Sequence, residues 1–169
     1  MLRWAVLEHD GPVAIRYPRG GDGSCVAYEN VDITNDPVFC HRSGADVALI
    51  CYGTVMDTAM QAAELLSQQG VEASVIRLRS VKPLPINELL VLLGDCANVF
   101  VVEETMAGSG ISQALCAALN TEGCHRRVMG IDLGDQFVTH GNIPALYAHC
   151  GLDAKTIAKK ILEVRRIEK

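Results

Sequence analysis

Val47-Ala48-Leu49-Ile50-Cys51-Tyr52 is an unbroken apolar run, closed by Gly53-Thr54. A strand buried on both faces reads this way. Residues 54–69 follow, with Val55, Ala59, Ala62, Ala63 and Leu66 at helical spacing and Gly70 as a stop signal. The same unit then recurs. Residues 72–78 read as a strand. Val81-Lys82-Pro83-Leu84-Pro85 is extended, because each proline pushes its predecessor out of the helical region. Ile86, Leu89, Leu90 and Leu93 form a short helical stripe ending at Gly94. Residues 98–102 give a further strand, and Ile111, Ala114, Leu115, Ala118 and Leu119 the helix after it. Residues 128–132 are strand again, and residues 143–149 a short helix. Asp153 can then cap a last helix with Ile157, Ile161 and Val164 on one face. Strict strand–helix alternation predicts an α/β three-layer sandwich, with a mixed, mostly parallel sheet of about five strands.

The first 45 residues break this rhythm. Residues 2–9 read as a helix and residues 13–17 as a strand. Gly20-Gly21-Asp22-Gly23 and Asn35-Asp36-Pro37 make the next stretch polar and turn-rich. The expected organisation is therefore residues 1–19 as the tail end of a preceding domain, 20–44 as a linker wrapped over a surface, and 45–169 as the α/β domain. A helix and one strand are too small to bury a core of their own.

Composition narrows the function classes. The 169 residues are 49% hydrophobic and 21% charged, an ordinary globular balance, and only 5% aromatic, so the core must be aliphatic. The net charge of -5 argues against general nucleic-acid binding, which wants a basic surface. No apolar run approaches the roughly 20 residues of a membrane span. Glu8, His9 and Asp10 follow the opening Met1-Leu2-Arg3-Trp4 too soon for a signal peptide. The 7 cysteines are scattered, without a C-x-x-C pair, and several sit in apolar runs. Reduced thiols in a cytoplasmic protein are the expectation. Cys40-His41 and Cys124-His125 are adjacent pairs, which rarely build a structural zinc site, so no metal site is expected.

Three stretches could carry chemistry. Arg16 and Arg19 lie in Gly11-Pro12-Val13-Ala14-Ile15-Arg16-Tyr17-Pro18-Arg19-Gly20, at the end of the expected strand. Ligands bind at strand ends in α/β proteins, and an arginine there can grip a phosphate or carboxylate. The plain alternative is two solvated arginines. Ala107-Gly108-Ser109-Gly110-Ile111-Ser112 joins a strand to a helix, but the third glycine of a dinucleotide fingerprint is missing. Glu103 and Glu104 would repel a phosphate at that helix start. A structural turn is expected there, or glycines that let another subunit's backbone approach. Glu103 and Glu104 point opposite ways at a strand end, so capping or salt-bridging is expected and a shared acid–base task is not. His140, on a loop before Gly141, is expected to make a structural hydrogen bond.

These stretches also carry a resemblance. The segment from Gly11 to Gly20 is similar to the one closing the pyrimidine-binding domain of transketolase-like, thiamine-diphosphate-dependent enzymes, the deoxyxylulose-phosphate synthases above all. In order, Asp46-Val47-Ala48 with Gly53-Thr54, Arg77-Leu78-Arg79-Ser80-Val81-Lys82-Pro83-Leu84 and Val101-Val102-Glu103-Glu104 resemble later segments of that family. So do residues 132–141, from Asp132-Leu133-Gly134-Asp135 to His140-Gly141, and Gly151-Leu152-Asp153-Ala154. The loop after the two glutamates is short, and Gly134 stands where the family has proline.

The resemblance implies a transketolase C-terminal domain-like fold. It implies an enzyme that condenses pyruvate with glyceraldehyde 3-phosphate, working as a homodimer with the preceding domains of the same protein. It places Arg19, and less strongly Arg16, on the substrate phosphate, and the helix after the glutamates near a dimer contact. Thiamine diphosphate and Mg²⁺ would belong to the full-length enzyme. Gly21-Asp22-Gly23 spells the family's cofactor motif but lies in the linker, and Asn30 and Asn35 are too close to complete it. No cofactor is therefore expected on this chain by itself, and no catalytic residue is assigned to it. The alternatives are a part of another transketolase-like enzyme, or a free-standing, non-catalytic α/β binding or assembly module.

Overall fold

The computed structural model describes residues 2–18 and 35–167. Among them five strands form one sheet: β1 (Val38–Arg42), β2 (Val47–Cys51), β3 (Ala73–Leu78), β4 (Asn98–Val102) and β5 (Arg127–Ile131). Their spatial order is β1-β3-β2-β4-β5. β2, β3, β4 and β5 pair in parallel, and β1 pairs antiparallel with β3. The sheet is thus mixed and mostly parallel, as expected from the alternation.

Helices cover both faces. α2 (Met56–Ser67) and α6 (Ala154–Ile167) lie on one, α3 (Ile86–Leu93) and α4 (Ile111–Thr121) on the other. The division follows the two-residue period of the strands. Val47, Leu49 and Cys51 of β2 point to the first face, with Ala59, Ala62, Leu66, Ile157 and Ile161. Ala48 and Ile50 point to the second, with Leu89, Leu93, Leu115 and Leu119. All five β2 residues are completely buried, which is why the sequence shows a run there and no alternation. The α2 face is mostly alanine, so α2 packs close to the sheet and against α6.

Asp46, just before β2, ties the amino edge of the sheet to α6, and Asp153 caps the other end of that helix. Asp46 Oδ1 accepts from Arg165 Nη2 of α6 at 3.0 Å, and its Oδ2 accepts from the Glu72 amide at 2.8 Å. Asp153 Oδ1 accepts from the amides of Lys155 and Thr156 at 3.1 Å each, the expected cap of α6.

The amino-terminal expectations need correction. Residues 38–42, assigned above to the linker, are strand β1. Val38 and Cys40 turn onto the second core face, and Pro37 lies just before the strand. An edge strand needs only one apolar side, and its partner lies well along the chain, so local pattern does not reveal it. Gly44 is required by the turn that follows, since a Cβ there would stand 2.4 Å from the Ala73 carbonyl carbon. Residues 13–17 are not a strand. They pair with nothing among the described residues, and Tyr17 is 84% exposed. The expected first helix is shorter, α1 (Leu2–Leu7). Arg16 is exposed. Arg19, Gly21-Asp22-Gly23, Cys25 and most of the expected linker lie outside the described residues.

Leu49 is wholly buried, between α2 and the sheet centre. Leu49→Ala should cost about 2–5 kcal/mol of unfolding free energy. Val91, 81% exposed on α3, should tolerate alanine within about 0.5 kcal/mol. Urea midpoints of the two variants beside the parent check this; equal midpoints would contradict the placement of the core.

Candidate functional site

The strand order places a switch point between β2 and β4. From β2 the chain leaves through α2 on one face; from β4 it leaves through α4 on the other. Adjacent loops diverge there, and in open α/β sheets this crevice at the carboxyl ends is the usual ligand position. Here it is lined by Tyr52 and Thr54 after β2, by Glu103 and Glu104 after β4, and by Tyr147 of α5 (Ile143–Cys150).

Glu103 fills the crevice. It is 0% exposed, the only carboxyl group buried in the core among the described residues. Its Oε2 accepts from the Ile111 amide at 2.7 Å and from the Tyr52 hydroxyl at 2.8 Å; its Oε1 accepts from the Ser112 amide at 3.2 Å. The first amides of a helix have no partners within the helix and carry the positive end of its dipole. Gly110, the residue before α4, has no side-chain cap of its own. Glu103 supplies the cap from the strand. The expectation of capping is met for this residue.

Gly110 makes that cap possible. A Cβ there would lie 2.2 Å from the Glu103 carboxyl atoms. The close approach expected of these glycines is therefore to the chain's own carboxyl group and not, at Gly110, to another subunit. Gly108 takes φ +80° and closes a turn in which the Ser109 amide and hydroxyl both donate to the Met106 carbonyl. The stretch is a structural turn, as expected.

Glu104 points outward. Its Oε2 accepts from Thr54 Oγ1 and its Oε1 from the Tyr147 hydroxyl at 2.8 Å. The two glutamates thus share no partner, consistent with separate tasks. Burial pushes the Tyr147 phenol up to about 12; the Thr54 contact opposes this, and the Glu104 hydrogen bond and charge add to it. Tyr52 is raised further, by burial first and then by its hydrogen bond to Glu103. Both phenols are donors at neutral pH, held to carboxyl acceptors. Sequence reading missed Tyr52, Thr54 and Tyr147, since nothing in their spacing links residues 52, 54, 104 and 147.

The neighbouring loop is joined to this network. Leu133 N donates to the Thr105 carbonyl at 3.0 Å, and Ala107 N to the Gly134 carbonyl at 3.1 Å. Gly134 has φ +75°, and its amide donates to Asp132 Oδ1 at 2.9 Å. Proline could supply neither that φ nor that amide, which accounts for glycine here. His140 is exposed and makes no hydrogen bond among the described residues, so the expected structural bond is absent from them. Among the described residues no group of three or more His, Cys, Asp or Glu could hold a metal ion. All six described cysteines are free thiols. No described helix is long and apolar enough to cross a membrane.

Residues 38–157 match the sequence model of the family described as transketolase, C-terminal domain. The chain belongs to this family. It is 34% identical over 165 residues to the 1-deoxy-D-xylulose-5-phosphate synthase of Heliobacterium modesticaldum, covering 97% of this chain and 25% of that protein. It is 37% identical over 165 residues to the synthase of the same name from Gloeobacter violaceus, covering 96% and 26%. The chain thus spans about a quarter of the length of the curated relatives it matches. Among solved structures, a split-gene transketolase, described as an inactive β4 tetramer, aligns with a TM-score of 0.63 at 24% identity, over 75% of this chain and 41% of that one. A Pichia stipitis transketolase in complex with sedoheptulose 7-phosphate aligns at 0.57 and 17%, over 75% and 18%. At these identities the structures attest the transketolase C-terminal domain fold of the family.

The Glu103 cap can be measured in energy. Glu103→Ala leaves two amides and a phenol without their acceptor, at about 1–3 kcal/mol for each group that water cannot reach. Gly110→Ala should cost a similar amount by driving the carboxyl group out. In the double variant the methyl group meets no carboxyl, so the two losses should not add. A double-mutant cycle from denaturant unfolding should give a coupling of about 1–3 kcal/mol. Additive losses would show that Gly110 and Glu103 do not meet.

Proposed function

We propose that this chain is the C-terminal part of a 1-deoxy-D-xylulose-5-phosphate synthase. Such an enzyme joins pyruvate to glyceraldehyde 3-phosphate, with release of CO₂, to give the precursor of isoprenoids, thiamine and pyridoxal. The observation that carries this is the identity to the synthases over nearly all of this chain and only a quarter of theirs. Residues 1–19 would then be the end of the preceding pyrimidine-binding domain, and the whole a cytoplasmic homodimer in which this domain is scaffold and dimer contact.

Thiamine diphosphate, bound with Mg²⁺ by the full-length enzyme, supplies the carbanion chemistry of such a reaction. The described residues of this chain do not fit it. The helix start at the switch point is where this fold would cradle a diphosphate, and Glu103 already occupies its amides. No step is therefore assigned to the cofactor here, and the domain alone is expected to be inactive. Its role in the reaction is to bind and to position. Arg19 would hold the phosphate of the aldehyde acceptor, with Arg16 beside it as the weaker candidate.

The test is a chimera in which this chain replaces the matched quarter of the Heliobacterium modesticaldum synthase. The chimera should release CO₂ from pyruvate when the aldehyde phosphate is present, and this chain alone should not. Arg19→Ala in the chimera should raise KM for the aldehyde phosphate and cost about 2–4 kcal/mol of transition-state stabilisation, with pyruvate binding little changed. Arg19→Lys should recover only part, because an ammonium cannot grip bidentately. A folded but inactive chimera contradicts the assignment, and an unchanged KM returns Arg19 to a solvated surface residue.

A further inference from the structure

The loops at the carboxyl edge carry large apolar side chains that nothing in the domain covers. Phe137 is 91% exposed, Ile143 57% and Met106 53%. Met106 lies on a tied loop, and Phe137 on the exposed segment between the turn at residues 132–134 and the Asn142 cap of α5. Residues 104–110 are tied at one end to the Glu103 cap and across to residues 132–134 by the Leu133–Thr105 and Ala107–Gly134 bonds. Exposed apolar groups gathered on one edge mark an interaction surface, and a protruding aromatic is the usual anchor of one. The same two loops carry Glu104, Asp132 and Asp135, and no lysine or arginine.

We propose that residues 104–110 and 132–143 form the docking surface for the part of the synthase outside this domain. Phe137 is the anchor and enters an apolar pocket with a basic rim. This surface rests on the assignment proposed above, and it adds where the contact is made and what chemistry the partner presents. The occupant follows from length and charge. About three-quarters of each matched relative lies outside the aligned region. A second copy of this domain is the poorer fit, because a two-fold contact would press this acidic patch, with Glu104, Asp132 and Asp135 and no lysine or arginine, against an identical acidic patch.

Hydroxyl-radical footprinting, read by mass spectrometry, tests the surface on this chain alone and on the same chain within the Heliobacterium chimera. In the chain alone Met106 and Phe137 should be modified readily. In the chimera their rates should fall on the order of tenfold, as for side chains in the water-free centre of an interface. If the chimera makes product but Met106 and Phe137 react as before, while Leu2, Val6 and Leu7 of α1 become shielded, the docking surface is wrong and the functional assignment stands. If the chimera makes no product and no side chain of this chain is shielded, both fall.

Discussion

One buried carboxyl group organises the working edge of this domain. Glu103 takes hydrogen bonds from the first two amides of α4 and from Tyr52 beyond β2. It thereby joins the ends of two central strands and a helix start in one contact. A buried carboxyl is costly unless its lone pairs are used; here three donors use them, and the helix dipole favours it. The demand falls on the neighbours: Gly110 must lack a side chain, and the loop before it must turn back within a few residues. With that loop fixed, the next one is fixed through the Thr105 and Gly134 carbonyls.

The same contact bears on what this domain can bind. Its sheet order creates the crevice in which α/β proteins usually place a ligand, and its own glutamate and tyrosine fill it. The fold has kept the architecture of a binding domain and uses the crevice for packing. On the proposed assignment its role lies in what it presents outward, and the carboxyl-edge loops carry an exposed aromatic group beside acidic residues. This accords with a match to only a quarter of the related synthases.

Much of the fold was legible because the central strands are buried on both faces. β2 reads as one apolar run and α2 as a face of alanines, and neither depends on distant residues. β1 was not legible. It is an edge strand with a bulge between Cys40 and Arg42, and its partner β3 lies beyond β2 and α2. Residues 13–17 show the converse, a strand-like composition with no strand to pair with among the described residues. In the site, Glu103 was legible only as a capping or salt-bridging residue, and the cap on α4 is the part the structure adds. Tyr52 and Tyr147 were not, because the crossings of the sheet bring them to the glutamates. Arg19, which the resemblance favoured, lies outside the described residues.

Amide hydrogen exchange at Ile111 and Ser112 tests the Glu103 cap most directly. Amides in the first turn of a helix at a loop junction ordinarily exchange early, since they lack helix partners. Held by a wholly buried carboxyl group, these two should exchange as slowly as the β4 amides of Val101 and Val102. Exchange at the rate of the exposed loop at residues 135–141 would contradict the account.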